Sequence, residues 1–412
     1  MVLAYHSHYF IRSVVAVSTN SVQPNYVDDT EAIQNFVTTE DLVMLVIYNE
    51  SNVHGAVSDI NGKTITIQVD GVDLNGIGVR QDSVADAVNR KNGSTVYYLC
   101  ALTAGAHTVK GRFACGAAPF TSVTISERQL AIFLFRGAVA DWGFTSSIVV
   151  SNTNSVVFVD DPNATVNVNL PSDNMIVLVL YSAGSEIIDL EHPSGKEIAI
   201  RVDAGADVAR HGQSGDPTGP TTAEICGCST HVIYSNLLAG AHTFRGRFLT
   251  NNAVTPAQIR NRQLAVLIFS ESQLFDQILD DATALTTNST SKVDDVPATI
   301  NRNLLATYET LILYSHWNTA DFQDAYGRKA GIMVDAVDYS QSYQSAQDAR
   351  KCGNTVCHVI QLTAGAHTIK GRFAANRVAT VSIGLRTMCV LYFPRGPSIT
   401  QQHLQKVMRG GL

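Results

Sequence analysis

Gly105-Ala106-His107-Thr108-Val109-Lys110-Gly111-Arg112-Phe113 returns as Gly240-Ala241-His242-Thr243-Phe244-Arg245-Gly246-Arg247-Phe248, and again as Gly365-Ala366-His367-Thr368-Ile369-Lys370-Gly371-Arg372-Phe373. A phrase repeated at one long period marks a structural unit that has been copied and fused. Its residues alternate: His107, Val109, Gly111 and Phe113 fall on one side, and Thr108, Lys110 and Arg112 on the other. The phrase therefore reads as a strand with one core face and one basic face. Its opening glycine sits where a tight turn feeds the strand, because only glycine takes positive φ without steric cost.

The flanking sequence keeps the same register. Upstream of each phrase come Thr-Asn-Ser and Val-Asp-Asp, at Thr19 to Asp29, Thr153 to Asp161 and Thr287 to Asp295. An apolar run closing on tyrosine follows, at Leu42 to Tyr48, Met175 to Tyr181 and Leu311 to Tyr314. A short strand then ends at Asp70, Asp203 or Asp335, and a last one starts at Arg128, Arg262 or Arg386. The spacing between successive copies differs only by a loop's length. This divides the 412 residues into three expected domains, 1–140, 141–271 and 272–395, with a tail at 396–412.

The apolar runs are under ten residues long, rich in Val, Ile, Leu, Tyr and Phe, and bounded by clusters such as Asn92-Gly93-Ser94. No helical period persists inside a copy. The expected fold is all-β, with three tandem β-sandwich domains of about eight short strands each. The joining stretches, Phe10 to Ser18, Phe144 to Asn152 and Phe275 to Thr286, are too short and too patterned for loose tethers, so the domains should touch. In the tail, Ser398 to Met408 fits one short amphipathic helix, with Ile399, Leu404 and Val407 on its apolar side.

Composition narrows the functional classes. Hydrophobic residues make up 45 % of the chain, but charged residues only 16 %, so uncharged polar groups must cover much of the surface. A net charge of −7 without a basic block argues against a nucleic-acid partner, and no apolar run is long enough to span a membrane as a helix. Met1 to Phe10 lacks the pattern of a secretory signal. The seven cysteines fall at non-equivalent places, unlike a copied disulfide framework, and only Cys352 and Cys357 have bridge-like spacing.

These residues carry a likeness. The apolar strand ending near tyrosine, the Val-Asp strand, the Leu-x-Ala-Gly-Ala-His-Thr-Val-Lys-Gly-Arg-Phe hairpin and the closing Arg-x-Leu strand resemble the tumour-necrosis-factor/C1q-like jelly-roll modules of tailed-phage and other virion proteins. The resemblance covers Asn20 to Phe135, Asn154 to Phe269 and Asn288 to Phe393. It implies jelly rolls that trimerise, here fused into one chain as a pseudo-trimer or a linear array. It also implies a virion location, with capsid or tail subunits as partners.

The candidate chemistry is sparse. His107, His242 and His367 share a face with core residues, so the expectation is a core histidine bonded to a nearby backbone group, with a catalytic or metal role as the alternative. Lys110, Arg112, Arg245, Arg247, Lys370 and Arg372 should face acids of the next domain, with Asp70, Asp203 and Asp335 or the Val-Asp-Asp residues as partners. The pairs Asp70/Asp73, Asp203/Asp207 and Asp335/Asp338 are a weaker calcium candidate, and His6/His8 a transition-metal one. No nucleophile with an adjacent base recurs, so neither an enzyme nor a cofactor is expected. The expected function is a virion structural protein, a capsid decoration, spike or fibre component, with residues 1–10 or the tail helix as anchor. A receptor- or glycan-binding surface protein is the alternative; it calls for exposed aromatics, for which Trp142, Trp317 and Tyr339 are candidates.

Overall fold

Each apolar run forms a strand that is buried on both faces. In Leu42–Ser51 every residue is buried, and the same holds for Ile176–Gly184. Alternate side chains of a strand point to opposite sides, so burial along the whole run requires two separate cores. Both exist. Met44, Val46 and Tyr48 face a sandwich interior, whereas Val43, Leu45 and Ile47 face a core shared with the other copies.

The computed structural model describes residues 2–22, 24–51, 63–74, 79–81, 93–115, 123–125, 127–184, 196–214, 228–250, 253, 256–317, 328–344, 351–352, 355–375 and 380–394. The expected tail helix lies outside them. The described residues are almost entirely antiparallel strands, with one short 3-10 turn at Val139–Asp141.

One arrangement occurs three times. In the first copy an inner sheet runs Ala4–Ser13, Glu127–Arg136, Leu42–Ser51, Gly93–Leu102, and an outer sheet runs Val27–Thr38, Gly105–Cys115, Lys63–Val69. The second copy repeats the inner order with Trp142–Ser147, Ala257–Phe269, Ile176–Gly184 and Cys228–Tyr234. The third does so with Leu274–Asp281, Arg386–Pro394, Tyr308–His316 and Thr355–Leu362. First and last strands of a copy are thus neighbours, and consecutive strands cross between sheets. Two sheets packed this way form a β-sandwich.

The three inner sheets turn their second faces onto one another. Leu45, Leu178 and Leu311, at equivalent positions, lie in the same core, as do Phe133, Leu267 and Leu391. At one end of this core the equivalent Phe135, Phe269 and Phe393 close a triangle, with ring centroids 5.4, 5.7 and 5.8 Å apart. A near-equilateral triangle of equivalent side chains defines a pseudo-threefold axis. Toward the other end the axial residues become polar. Asn49 Nδ2 and the Thr95 hydroxyl both donate to the Thr355 carbonyl of the third copy, at 2.6 and 2.8 Å, and the Ser229 hydroxyl of the second copy donates to Thr355 Oγ1 at 3.0 Å.

Residues 2–10 are not a free anchor arm. Ala4–Ser13 is the edge strand of the first inner sheet, and its neighbour Leu3 bridges to the second copy, donating its N–H to the Ile268 carbonyl at 2.9 Å. The Cys357 thiol is free, so the candidate bridge to Cys352 does not form.

Candidate functional site

The repeated phrase is explained residue by residue. Gly240 and Gly365 have φ of 127° and 135°, which the turn ahead of the strand requires and a side chain resists. The second glycine of the phrase has a different reason. A Cβ on Gly111, Gly246 or Gly371 would stand 2.5 Å from the ring of Tyr48, Tyr181 or Tyr314, so the tyrosine that closes each apolar run lies flat on that strand.

Each of these tyrosines belongs to a buried trio. The Tyr48 hydroxyl donates to Asp29 Oδ2 at 2.9 Å, and Arg128 Nε sits 2.7 Å from the same oxygen. Tyr181, Asp161 and Arg262 repeat the arrangement at 3.1 and 2.7 Å, and Tyr314, Asp295 and Arg386 at 2.6 and 2.8 Å. All three arginine–aspartate pairs are fully buried. Burial pushes the tyrosine hydroxyls well above their ordinary pKa, and the neighbouring aspartates add to this, so each remains a donor. The second aspartate of Val-Asp-Asp, the tyrosine and the arginine of the last strand are thus one internal polar lock per copy.

The phrase histidines do not follow the expectation in full. A backbone partner is present: His107 Nε2 meets the Thr103 carbonyl at 2.8 Å, His242 the Leu238 carbonyl at 2.7 Å, and His367 the Thr363 carbonyl at 2.8 Å. The other ring nitrogen meets a carboxylate. Nδ1 lies 2.7 Å from Asp70 Oδ2, 2.7 Å from Asp203 and 2.6 Å from Asp335. Both partners are acceptors, so the ring makes both bonds only as an imidazolium. Burial pulls each histidine down, but the carboxylate and the carbonyl outweigh it, leaving the three pKa values above the ordinary one. The same aspartates sit at positive φ of 48° to 50° and also accept the next backbone N–H, at Thr108, Thr243 and Thr368. His107 is buried, and the side chains of His242 and His367 keep only 11 % of their surface exposed.

The charged residues correct a second expectation. Lys110 pairs with Asp28 at 2.6 Å, and Arg112 with Asp28 and Asp73 at 2.9 and 2.5 Å. Arg245 and Arg247 share Asp160, and Arg247 also takes Asp207; Lys370 and Arg372 share Asp294, and Arg372 also takes Asp338. Every one of these pairs lies within its own copy. They face outward on the outer sheet, away from the shared core, which is why they do not reach the next copy. Asp73, Asp207 and Asp338 are occupied by arginines. Among the described residues no group of three or more histidine, cysteine or acidic side chains is placed to hold a metal.

The copies instead meet through the edge strands of the inner sheets. Phe10 packs edge-on against His358, which stacks on Tyr339; Phe144 packs edge-on against Tyr98; and Gln277 Oε1 accepts the Ile233 N–H at 3.2 Å. The first copy's edge thus meets the third, the second's meets the first, and the third's meets the second, which closes a ring. His6 turns to Glu40 and His8 to Glu309 of the third copy, so they do not form one metal site. Of the aromatics proposed for an exposed glycan site, Trp317 is buried, Trp142 packs on the shared core and Tyr339 is stacked in a seam. Sequence reasoning missed Phe135, Phe269 and Phe393, although each stands seven residues after the repeated arginine.

No protein-family model matches the chain, and no curated protein matches it. Among solved structures it is similar to PNGF-II, at TM-score 0.31 and 9 % identity over 87 % of this chain and 100 % of that one. It is also similar to N-glycanase F (PNGase F), at TM-score 0.33 and 8 % identity over 63 % and 97 %. A third similarity is to the triple jelly roll protein of an archaeal virus turret assembly, at TM-score 0.18 and 10 % identity over 95 % and 97 %. The expectation that the chain is not an enzyme is corrected on this finding, because an N-glycanase stands among the similar structures. At these TM-scores none of the likenesses assigns an activity. No described helix is long and apolar enough to cross a membrane.

Proposed function

We propose that the chain is a structural component of a virus particle, a fused pseudo-trimer of jelly-roll units divided at 1–140, 141–271 and 272–395, whose partners are neighbouring capsid or tail subunits. The observation that supports this reading best is the shared core. Three sandwiches bury equivalent faces on one axis and close a ring through their edge strands. The residues repeated in every copy hold that frame: an internal lock, a turn clasp and an outer-sheet charge lattice. Such a body presents a fixed, three-sided surface to neighbours, as large contacts between subunits require.

The sheet order, with first and last strands adjacent, supports the jelly-roll reading and its tumour-necrosis-factor-like form. Immunogold microscopy with antibodies raised against the folded chain tests the function. Labelling of intact particles at a fixed place is the expected result, and particles that stay unlabelled while the free protein is recognised would overturn it.

A further inference from the structure

The three seams of the ring carry different side chains at equivalent places. Tyr98, Val232 and His358 stand opposite Val46, Val179 and Ile312 in the three inner sheets. The second copy's Phe144 lies edge-on to Tyr98 and the first copy's Phe10 edge-on to His358, with ring centroids 5.6 and 5.2 Å apart. The seam between the first and third copies is therefore the one with an imidazole at this place.

That imidazole is built to stay neutral. His358 is 4 % exposed, and Tyr339 stacks on it at 4.5 Å. Its Nδ1 lies 2.9 Å from the Ser340 hydroxyl, but its Nε2 has no hydrogen-bond partner. An imidazolium here would bury a charge together with an N–H donor that finds no acceptor. The charge that bears on the ring is itself a cation, Arg12, two residues beyond Phe10 on the first copy's edge strand. Burial first, and Arg12 second, pull the His358 pKa from 6.5 down to about 3.

The other charged groups along this seam have partners of their own. The Glu309 carboxylate faces His8 at 3.9 Å and accepts from Gln361 at 2.9 Å, so a proton on His8 adds attraction between the two copies. Asp338, on the strand that carries Tyr339 and Ser340, pairs with Arg372 and lies 3.9 Å from Lys292, whose other charged neighbours include Arg12 and Glu127. Arg328, on the adjoining strand, donates to the Ser382 carbonyl. A proton on His358 thus acts against the seam, whereas one on His8 or on a turn histidine acts for the fold.

We propose that the junction of Phe10 with His358 is an acid-sensitive latch: a proton taken up by the uncovered imidazole holds the first copy's edge strand Ala4–Ser13 away from the third copy, while the other two seams stay closed. Closure is undiminished above pH 6.5, where neither state binds the proton. As pH falls from 6.5 toward 3 the open seam binds it and the closed one does not, so the open fraction grows about tenfold per pH unit. The latch rests on the ring of copies and not on the virion reading.

The full chain is followed by hydrogen exchange between about pH 7.5 and about pH 4.5, with rates corrected for the intrinsic effect of pH. Peptides spanning Ala4–Ser13 and Thr355–Leu362 should open about tenfold more for each unit below pH 6.5, and the second seam's Trp142–Ser147 should not. His358→Phe/Ser340→Ala keeps an aromatic ring against Phe10 and removes the hydroxyl that would lose its partner. A thermal melt at neutral pH checks that this variant folds, and its first seam should show no such rise. In the wild type, an NMR titration of the His358 ring should run well below pH 6.5. The proposal is overturned by exchange at the first seam that ignores pH, or by the same rise in the variant or at the second seam. A His358 ring that titrates near pH 6.5 in the folded protein overturns it as well.

Discussion

Gly111 shows how one residue type serves two purposes in a nine-residue phrase. Gly240 is kept by its dihedral angle, whereas Gly111 is kept by the Tyr48 ring that covers it. Gly111→Ala would force that ring off Asp29 and disturb the buried lock. The expected loss is about 1–3 kcal/mol for overpacking, and more if the hydroxyl leaves its partner, read as a fall in the denaturant midpoint. Arg262→Met strikes the same kind of lock directly and leaves Asp161 buried without its cation. The cost expected for breaking a buried pair from one side is about 3–5 kcal/mol. The histidine clasps predict a pH dependence. Each histidine's pKa is raised in the folded state, so its contribution is fully present below the unfolded value and fades as pH rises through the folded one. Asp70 and Asp203 are net lowered, despite burial pushing them up, so their contribution fades only as the solution turns acid. Because Asp70 and its equivalents are partly exposed, each clasp contributes about 1 kcal/mol or less. Melting curves from pH 5 to pH 9 should show the wild type losing more stability above neutrality than a H107Q/H242Q/H367Q variant. Equal slopes for the two proteins would remove the imidazolium from the account.

The strands were the most legible part of the sequence, because alternation and short apolar runs are written into single segments. Leu42 to Tyr48 read as a buried strand from its composition alone, but composition does not say that its two faces belong to different cores. That fact depends on the other copies. The basic residues illustrate the opposite failure. Repetition in every copy suggested a repeated interface, yet a charge lattice inside each copy repeats just as faithfully, and only the placement of Asp28, Asp160 and Asp294 on the neighbouring strand distinguishes them. The turn aspartates recur at equivalent places in the sequence, but the Asp70–His107 clasp needs a contact between residues 37 positions apart, which no local pattern encodes. Among the elements, the edge strand Ala4–Ser13 has the widest reach. It completes the first sheet, Tyr5 stacks on Phe393 of the third copy at 5.1 Å, and the adjoining Leu3 is tied to the second. Deleting residues 2–13 should therefore loosen the whole ring rather than one sandwich. The checks are a lower melting temperature and dye binding to the newly uncovered shared core.

At the scale of the molecule, the shared core decides how the chain unfolds and whether a copy can live alone. Each inner sheet has a second apolar face that only the other two copies cover, so a single copy in water would expose Leu45, Ile47, Phe133 and Phe135 or their counterparts. Three identical copies would be the simplest cure, but the axial positions have diverged too far for that. Tyr97, His231 and Cys357 occupy equivalent places opposite Ile47, Leu180 and Leu313, and all three are buried. A layer that accepts one phenol, one imidazole and one thiol does not accept three of any one kind, since cores resist changes of volume and leave no room for unpaired polar groups. The copies are fixed in their order by what they place on the axis. Residues 141–271 expressed alone should accordingly aggregate or remain poorly packed instead of forming a trimer, as light scattering after size exclusion would show. The intact chain, by contrast, should melt in one calorimetric transition, because no sandwich keeps its core once another has left. Three separable transitions, or a well-ordered trimer of the middle copy, would mean that the sandwiches are independent bodies and that the axial contacts contribute little to holding them.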